Sequence, residues 1–531
     1  MRFKIDPKGE KLVFTGGEKH ELIAVKQHLS RFVKGYKFNP RFKMRLWDGK
    51  LNMWNDTGSC VIGLWKEVYG LCKELGYKFE IENKDLFPLN RDVTLDGFNE
   101  WCEEFFAYHQ TESGAAFMPR DYQIESVFQV LRNRYCLTAV ATSGGKSLMA
   151  AMFLFYILQK VNPKAKFLMV VPSLSLVTQF YNDLVAYNWG IKRENPNPVN
   201  LEIEEITSDK PRLAMPGRVP NLYIGTYQSL VNYPPEWFKQ FYGVMIDEAH
   251  MAKAKSLVTI ANNTIPTAYY RFGMSGTFPD KTSAEIMTIQ SVTGPVVSHV
   301  RARALMDKGV VTEVQIKALM INHNDPQFHQ RIGQIRKADG KAAYDLEKLR
   351  VQESEPRIKL IMKIVKAAKS NTLVLFHKKD YGKILFERLS AMEDGKRYYY
   401  IDGDISGKQR EEIKAEMEKT DTPAVLVASY GTLSTGVSIK ALNNVLFTES
   451  FKSKQIVLQS IGRALRQHAE KILAVVFDLV DIFDAENSVG RNVGVLHGHY
   501  VERKAMYKDE QYPCDEVKIN LPPPVEKDIR D

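Results

Sequence analysis

Cysteine is scarce, and Cys60, Cys72, Cys102, Cys136 and Cys514 stand far apart in a chain of 531 residues. That spacing supports neither a disulfide framework nor a Cys-x-x-Cys zinc site, so the thiols are expected to be reduced and mostly in the core. Long apolar runs are also missing. None approaches the roughly 18–20 residues that a membrane-spanning helix needs. Residues 1–6 begin with a strand-like Arg-Phe-Lys-Ile where a signal peptide would be basic and then apolar. A soluble, cytoplasmic protein without membrane association is the expectation. Repeats at solenoid periods are absent, and low complexity is confined to the three prolines at 522–524. With 26% charged and 44% hydrophobic residues, the composition excludes disorder as the dominant state. The length suggests roughly three or four domains.

What is present is an uneven basic charge. Lys and Arg number 73 against 63 Asp and Glu, a net +10, and residues 1–80 hold 16 basic and 9 acidic side chains, a net +7. The same segment carries Phe38, Trp47 and Trp54 among Lys37, Arg41, Lys43, Arg45 and Lys50. Basic charge interleaved with aromatic rings suits a polyanion with stackable bases, which makes Arg41, Lys43, Arg45 and Trp47 candidate nucleic-acid contacts. A solvated basic face over an ordinary aromatic core fits the same composition.

Hydrophobic patterning divides the chain. The first 80 residues alternate short strands with helical patterns over 18–33 and 61–75, as in a small α+β module. A polar, aromatic-spotted connection over 92–118 follows. Near-continuous apolar runs at 135–140, 167–171, 222–225, 243–246 and 268–274 then alternate with amphipathic helices. A second series lies at 314–320, 372–376, 398–401, 424–428, 444–448 and 473–479. Such runs are expected of strands covered on both faces by crossover helices, so the fold class is α/β, with two parallel-sheet domains in tandem. The expected organisation is a basic module and linker at 1–112, parallel domains at 113–303 and 304–495, and a helix and tail at 496–531. His497 and His499 lack further ligands nearby and are read as loop residues, not a metal site.

After the 135–140 strand comes Ala-Thr-Ser-Gly-Gly-Lys-Ser, then a helical run. Thr142, Ser143, Gly144 and Gly145 would offer backbone N–H groups and a helix N-terminus to phosphate oxygens. Lys146 would add a point charge and Ser147 a hydroxyl ligand for Mg²⁺. The general pattern has a glycine where this chain has Val140. A plain glycine-rich turn is the alternative. The 243–246 strand ends on Asp247 and Glu248, followed by Ala249 and His250. Two carboxylates at the end of an apolar strand suit a cation at Asp247 and a reacting water at Glu248.

These residues, with Ser275-Gly276-Thr277 and Gln459-Ser460-Ile461-Gly462-Arg463-Ala464-Leu465-Arg466, resemble the ordered motifs of superfamily 2 helicases over about 113–480. The resemblance implies two RecA-like domains with ATP at the cleft between them. Arg120 and Gln123 then resemble an adenine-reading motif, although Gln123 also suits a helix start. His250 and Gly436 join the nucleotide-binding set, and Gln459, Arg463 and Arg466 join Glu248 as catalytic. A three-residue spacing puts the two arginines on nearly one helix face, and arginine suits charge developing on a transferring phosphoryl group.

The resemblance also implies nucleic-acid contacts at Pro172, Ser173, Gln179, Thr226, Gln228, His377, Lys378, Ser429, Thr432 and Thr435. Ser438 departs from the family pattern, in which many members carry aspartate. With its basic N-terminal module, the chain is similar to the phage recombination helicases of this superfamily. That similarity implies an ATP- and Mg²⁺-dependent DNA helicase acting on single-stranded and branched DNA in the host cytoplasm. RNA–DNA hybrids and a single-strand-binding protein are further partners it implies. An RNA helicase, a restriction-type translocase and an ATP-gated clamp without unwinding are the alternatives.

Overall fold

A computed structural model describes residues 1–111, 113–207, 219–252, 254–264, 268–418, 422–434, 442–451, 453–464, 473–483 and 494–523. The chain forms two units. One comprises Met1–Ala141 and Gly145–Val300, the other Arg301–Asp531 with Thr142–Gly144.

In the first unit the apolar runs become one seven-stranded parallel sheet. Its spatial order is Val296–Val300, Tyr135–Val140, Tyr270–Ser275, Gly243–Asp247, Phe167–Val171, Leu222–Thr226 and Ile203–Ile206. Every residue of the five middle strands is buried, as the absence of alternation implied. The second unit repeats the architecture, in the order Arg397–Ile401, Ala424–Ser429, Thr372–Phe376, Asn444–Phe447, Leu473–Ile482, Glu313–Asn322 and Cys514–Asn520. All its pairings are parallel. The α/β class with two parallel sheets is therefore as the sequence implied.

Charge is also built into the second core. Arg357, fully buried, donates to both carboxylate oxygens of Asp481 at 2.7 and 2.9 Å, to the Tyr381 hydroxyl and to the Thr448 carbonyl. Arg503 binds both oxygens of Asp478 at 2.9 and 2.8 Å. Both aspartates sit on the long Leu473–Ile482 strand. Buried charges persist only when paired and hydrogen-bonded in this way.

Several elements differ from the expected ones. The 18–33 helical pattern ends at His28 and gives way to a strand at Ser30–Phe32, and the 61–75 pattern starts its α-helix only at Trp65. Within the supposed 92–118 connection lies a helix, Leu95–Phe106, whose Phe98, Trp101, Cys102, Phe105 and Phe106 are buried in the core of the first sheet. The expected helix and tail after 496 contains a helix at Val495–Asp509, which takes in His497 and His499, and then a strand. That strand, Cys514–Asn520, adds to the sheet edge beside Glu313–Asn322. Its charged, alternating sequence is typical of an edge and presents no apolar run.

The N-terminal module has a four-stranded mixed sheet in the order Ser59–Val61, Lys11–Gly16, Arg2–Ile5 and Glu80–Ile81. It packs directly on the first parallel domain. A side chain at Gly63 would stand 2.2 Å from the Gln290 carbonyl, and Arg31 donates to the Lys281 carbonyl at 2.8 Å. Trp54, grouped by sequence with possible stacking rings, is 7% exposed inside the module's core, so it is a packing residue. Four cysteines are buried and Cys514 partly so, all as free thiols. No helix among the described residues is long and apolar enough to cross a membrane.

Candidate nucleotide and nucleic-acid sites

The strand ends place the chemistry. Parallel strands deliver their C-terminal residues to one edge, where loops are free to bind. The loop after Tyr135–Val140 reaches a helix that starts at Lys146. Ser143 at φ 67° and Gly145 at φ 81° both take left-handed conformations, of the kind that forms anion-binding concavities from successive N–H groups. A β-carbon at Gly145 would stand 2.2 Å from the Gln123 amide nitrogen, so a side chain there would displace Gln123 as well as strain a backbone at φ 81°. Gln123, 1% exposed, uses its carbonyl oxygen to accept from the Arg120 N–H at 2.9 Å. It therefore both starts its helix and lies against the phosphate-type loop.

Asp247 ends its strand and Glu248 follows in a left-handed conformation, φ 48°, which is costly for a non-glycine residue and recurs at functional sites. The Lys146 ammonium stands 3.8 Å from one Glu248 oxygen, and His250 Nδ1 stands 3.2 Å from the other. The Ser275 hydroxyl completes the cluster, 2.8 Å from His250 Nδ1 and 3.3 Å from Glu248. Burial, then the neighbouring Glu248, pushes the Asp247 carboxyl up to about 7. Burial opposes ionisation of Glu248 as well, but Lys146, His250 and Ser275 outweigh it and hold that carboxyl below the usual range. Two adjacent carboxyls driven apart in this way are suited to different roles. Asp247 Oδ1 is buried without a hydrogen-bond partner among the described residues, as befits an oxygen that serves a cation.

Sequence reasoning missed Asp183. It lies on the Leu174–Trp189 helix, and its carboxylate accepts hydrogen bonds from Ser147 and Gln179. Burial raises its pKa against those two bonds. Only the fold brings that helix beside Ser147, and no sequence pattern marks it. Gln179 is exposed on the same helix and tied to Asp183.

Four of the predicted nucleic-acid residues do converge. Pro172, Ser173, Thr226 and Gln228 line one open depression of about 440 Å³ at the edge of the first sheet. In the second unit, Phe376 pairs with Ser429, which brings the loops of His377–Lys378 and Ser429–Thr432 to one sheet edge. The Ser429 and Thr432 hydroxyls bond to each other at 2.6 Å. Both backbone N–H groups of His377 and Lys378 donate to Glu449, an anchor that the sequence did not single out. Gln459 lies on the Lys454–Ala464 helix with Oε1 buried and without a partner among the described residues. Arg463 belongs to that helix, but its side chain, like Thr435, Gly436, Ser438 and Arg466, lies outside the described residues.

Arg41, Lys43 and Arg45 are exposed, and Trp47 is half-buried, on a crown spanning residues 33–49 between the paired strands Ser30–Phe32 and Lys50–Asn52. Lys37, Lys43, Leu46 and Trp47 help to line an open depression there of about 710 Å³.

Comparison with known proteins identifies the family. Residues 116–280 match the family model of the type III restriction enzyme res subunit, 356–468 the helicase conserved C-terminal domain, and 13–82 the N-terminal domain of the DNA helicase UvsW. The ATP-dependent DNA helicase UvsW of Enterobacteria phage T4 is 30% identical over 496 residues, which cover 92% of this chain and 93% of that protein. Two solved structures share the fold. The DNA-bound type ISP restriction-modification enzyme LlaBIII has a TM-score of 0.55 at 16% identity, covering 87% of this chain and 36% of that one. An HsdR fragment from Vibrio vulnificus has a TM-score of 0.51 at 17% identity, covering 86% and 74%. With its nucleotide-type loop, its Asp-Glu strand end and this relationship over nearly its whole length, the chain belongs to the superfamily 2 helicases, in the family of UvsW, and is an ATP-dependent, nucleic-acid-dependent enzyme.

Proposed function

We propose that this helicase remodels branched DNA: forks, four-way junctions, D-loops and R-loops, by branch migration or unwinding, in phage-type replication, recombination and repair. The observation that carries the reading is the concentration of charge on the N-terminal crown. Residues 33–49 hold five basic side chains and one acidic, +4 of the +7 in the first 80 residues. A basic footprint on an element other than the nucleotide loop suits a second grip on a branched polyanion.

In this reading residues 113–303 with the Leu95–Phe106 helix, and 304–495 with the Cys514–Asn520 strand, are the two motor domains, and the N-terminal module within 1–112 selects the substrate. Arg120 and Gln123 hold the base. Thr142 to Ser147, His250 and Gly436 serve the phosphates, with Lys146 as the point charge. Ser147 and Asp247 are the residues that would hold Mg²⁺, and the ion, when bound, supplies positive charge to phosphoryl oxygens. Glu248, ionised and oriented by Ser275 and His250, positions the attacking water and accepts its proton. Gln459, Arg463 and Arg466 meet charge on the transferring phosphoryl group. Pro172, Ser173, Gln179, Thr226, Gln228, His377, Lys378, Ser429, Thr432 and Thr435 hold the strand by its phosphates without reading sequence. Single-stranded and branched DNA are the substrates, RNA within RNA–DNA hybrids is a further one, and a single-strand-binding protein is a partner in the host cytoplasm.

The test is salt dependence. Substituting Arg41, Lys43 and Arg45 together by alanine is expected to weaken fork and junction binding. The slope of log affinity against log salt should fall by about 0.9 for each duplex phosphate that the variant no longer neutralises, while affinity for single strands changes little. Equal losses on junctions and on single strands, or tighter binding to RNA than to any DNA fork, would contradict the assignment.

A further inference from the structure

The crown does more than carry charge. Phe38 is 81% exposed, Leu46 67% and Met44 61%, three large apolar side chains within nine residues of one another. A two-stranded antiparallel pair can be closed by two to five residues, yet here seventeen are folded into a defined structure. Tyr36 and Phe42 meet edge to face at 4.8 Å, and Phe32 stacks on Tyr36 at 4.5 Å. Gly49, at φ 81°, lies so close that a β-carbon would stand 2.4 Å from the Tyr36 ring. Asn39 caps the short Pro40–Lys43 helix by accepting from the Arg41 N–H, and the Trp47 indole N–H donates to the Lys50 carbonyl at 2.8 Å. The contacts of Tyr36 and Phe42 thus fix the crown, while Phe38, Met44 and Leu46, with the 51% exposed Phe32, remain open to solvent.

Exposed apolar side chains on a rigid support mark a binding face. Lys34, Lys37, Arg41, Lys43 and Arg45, all exposed on the same crown, with Lys37, Lys43 and Arg45 lining one depression with Leu46, select the occupant. A purely apolar partner would leave those charges unmatched, whereas a duplex end offers apolar base faces framed by phosphates. We propose that the crown is a base-stacking wedge, with Phe38 and Leu46 lying against the terminal base pair at a DNA branch point. This rests on the reading of the N-terminal module as a DNA-binding element and specifies what its apolar tip touches. Apolar side chains inserted at base steps unstack DNA in this way, and stacking tolerates any sequence.

The experiment uses the full chain, saturating and without ATP, on a fork carrying 2-aminopurine in the branch-point pair. The unaltered protein is expected to raise 2-aminopurine fluorescence as the base unstacks. Phe38→Ala combined with Leu46→Ala should remove most of that rise and weaken fork binding about tenfold, the scale of one missing stack, with an unchanged salt slope. Phe38→Trp should retain the rise. Lys43→Ala with Arg45→Ala should flatten the salt slope yet keep the rise at saturation. If that basic pair changes no slope, the DNA-binding reading of the module falls and the wedge with it. If it does flatten the slope but the apolar double variant raises fluorescence like the parent, the wedge alone is overturned. Two further results would also overturn it: binding to phosphatidylserine vesicles that depends on Phe38, or a larger sedimenting mass without DNA that the apolar double variant abolishes.

Discussion

Glu248→Gln is expected to bind ATP about as well as the parent chain and to hydrolyse it roughly 10²–10⁴ times more slowly, the usual scale for removal of a general base. Glu248 sits where it can work on a water. It is partly exposed at the end of a buried strand, held ionised by Lys146, His250 and Ser275 against the cost of burial. Glutamine keeps the shape and can still accept from Ser275, but it cannot take a proton. Lys146→Ala should behave differently and lose nucleotide binding, since it removes a charge from the phosphate-type loop. Stimulated ATPase rates and equilibrium binding of a fluorescent ATP analogue measure the two effects separately. Near-normal turnover in Glu248→Gln would move the base elsewhere.

Removing residues 1–111 is expected to unfold the first parallel domain. The cut takes away the Leu95–Phe106 helix, whose Phe98, Trp101, Phe105 and Phe106 are each no more than 5% exposed. Losing one such ring typically costs about 3–5 kcal/mol. Four together exceed most of the roughly 5–15 kcal/mol that holds a domain folded. A chain starting at residue 88 keeps this helix, as well as the bonds of Asn90 to the Tyr270 hydroxyl and the Arg132 carbonyl. It should stay folded with a lower Tm, because Tyr135 and Met287 lose the cover of the N-terminal module. Near-UV circular dichroism and stimulated ATPase activity of the two truncated chains test this. A folded, active chain from residue 112 would contradict it.

That helix also shows where sequence reading works and where it stops. Strands such as Tyr135–Val140 and Thr372–Phe376 were legible because burial on both faces leaves an unbroken apolar run. Leu95–Phe106 was not, because its acidic outer face made an aromatic-rich segment look like a linker. Ile203–Ile206 and Cys514–Asn520 are edge strands with polar positions, and their pairing is set by neighbours distant in sequence. At the site, Lys146, Asp247 and Glu248 are local features of a loop and a strand end. Asp183, Glu449 and the close approach of Gln123 to Gly145 arise only when separate elements pack, and no spacing in the chain announces them.

The most direct measurement is conversion of a synthetic four-way DNA junction into its duplex products by the full chain. The expected result is ATP-dependent conversion that Glu248→Gln abolishes and that exceeds activity on a matched RNA duplex. Vigorous DNA-stimulated ATP hydrolysis with no conversion of junctions or forks would contradict the account and assign the chain to an ATP-gated clamp.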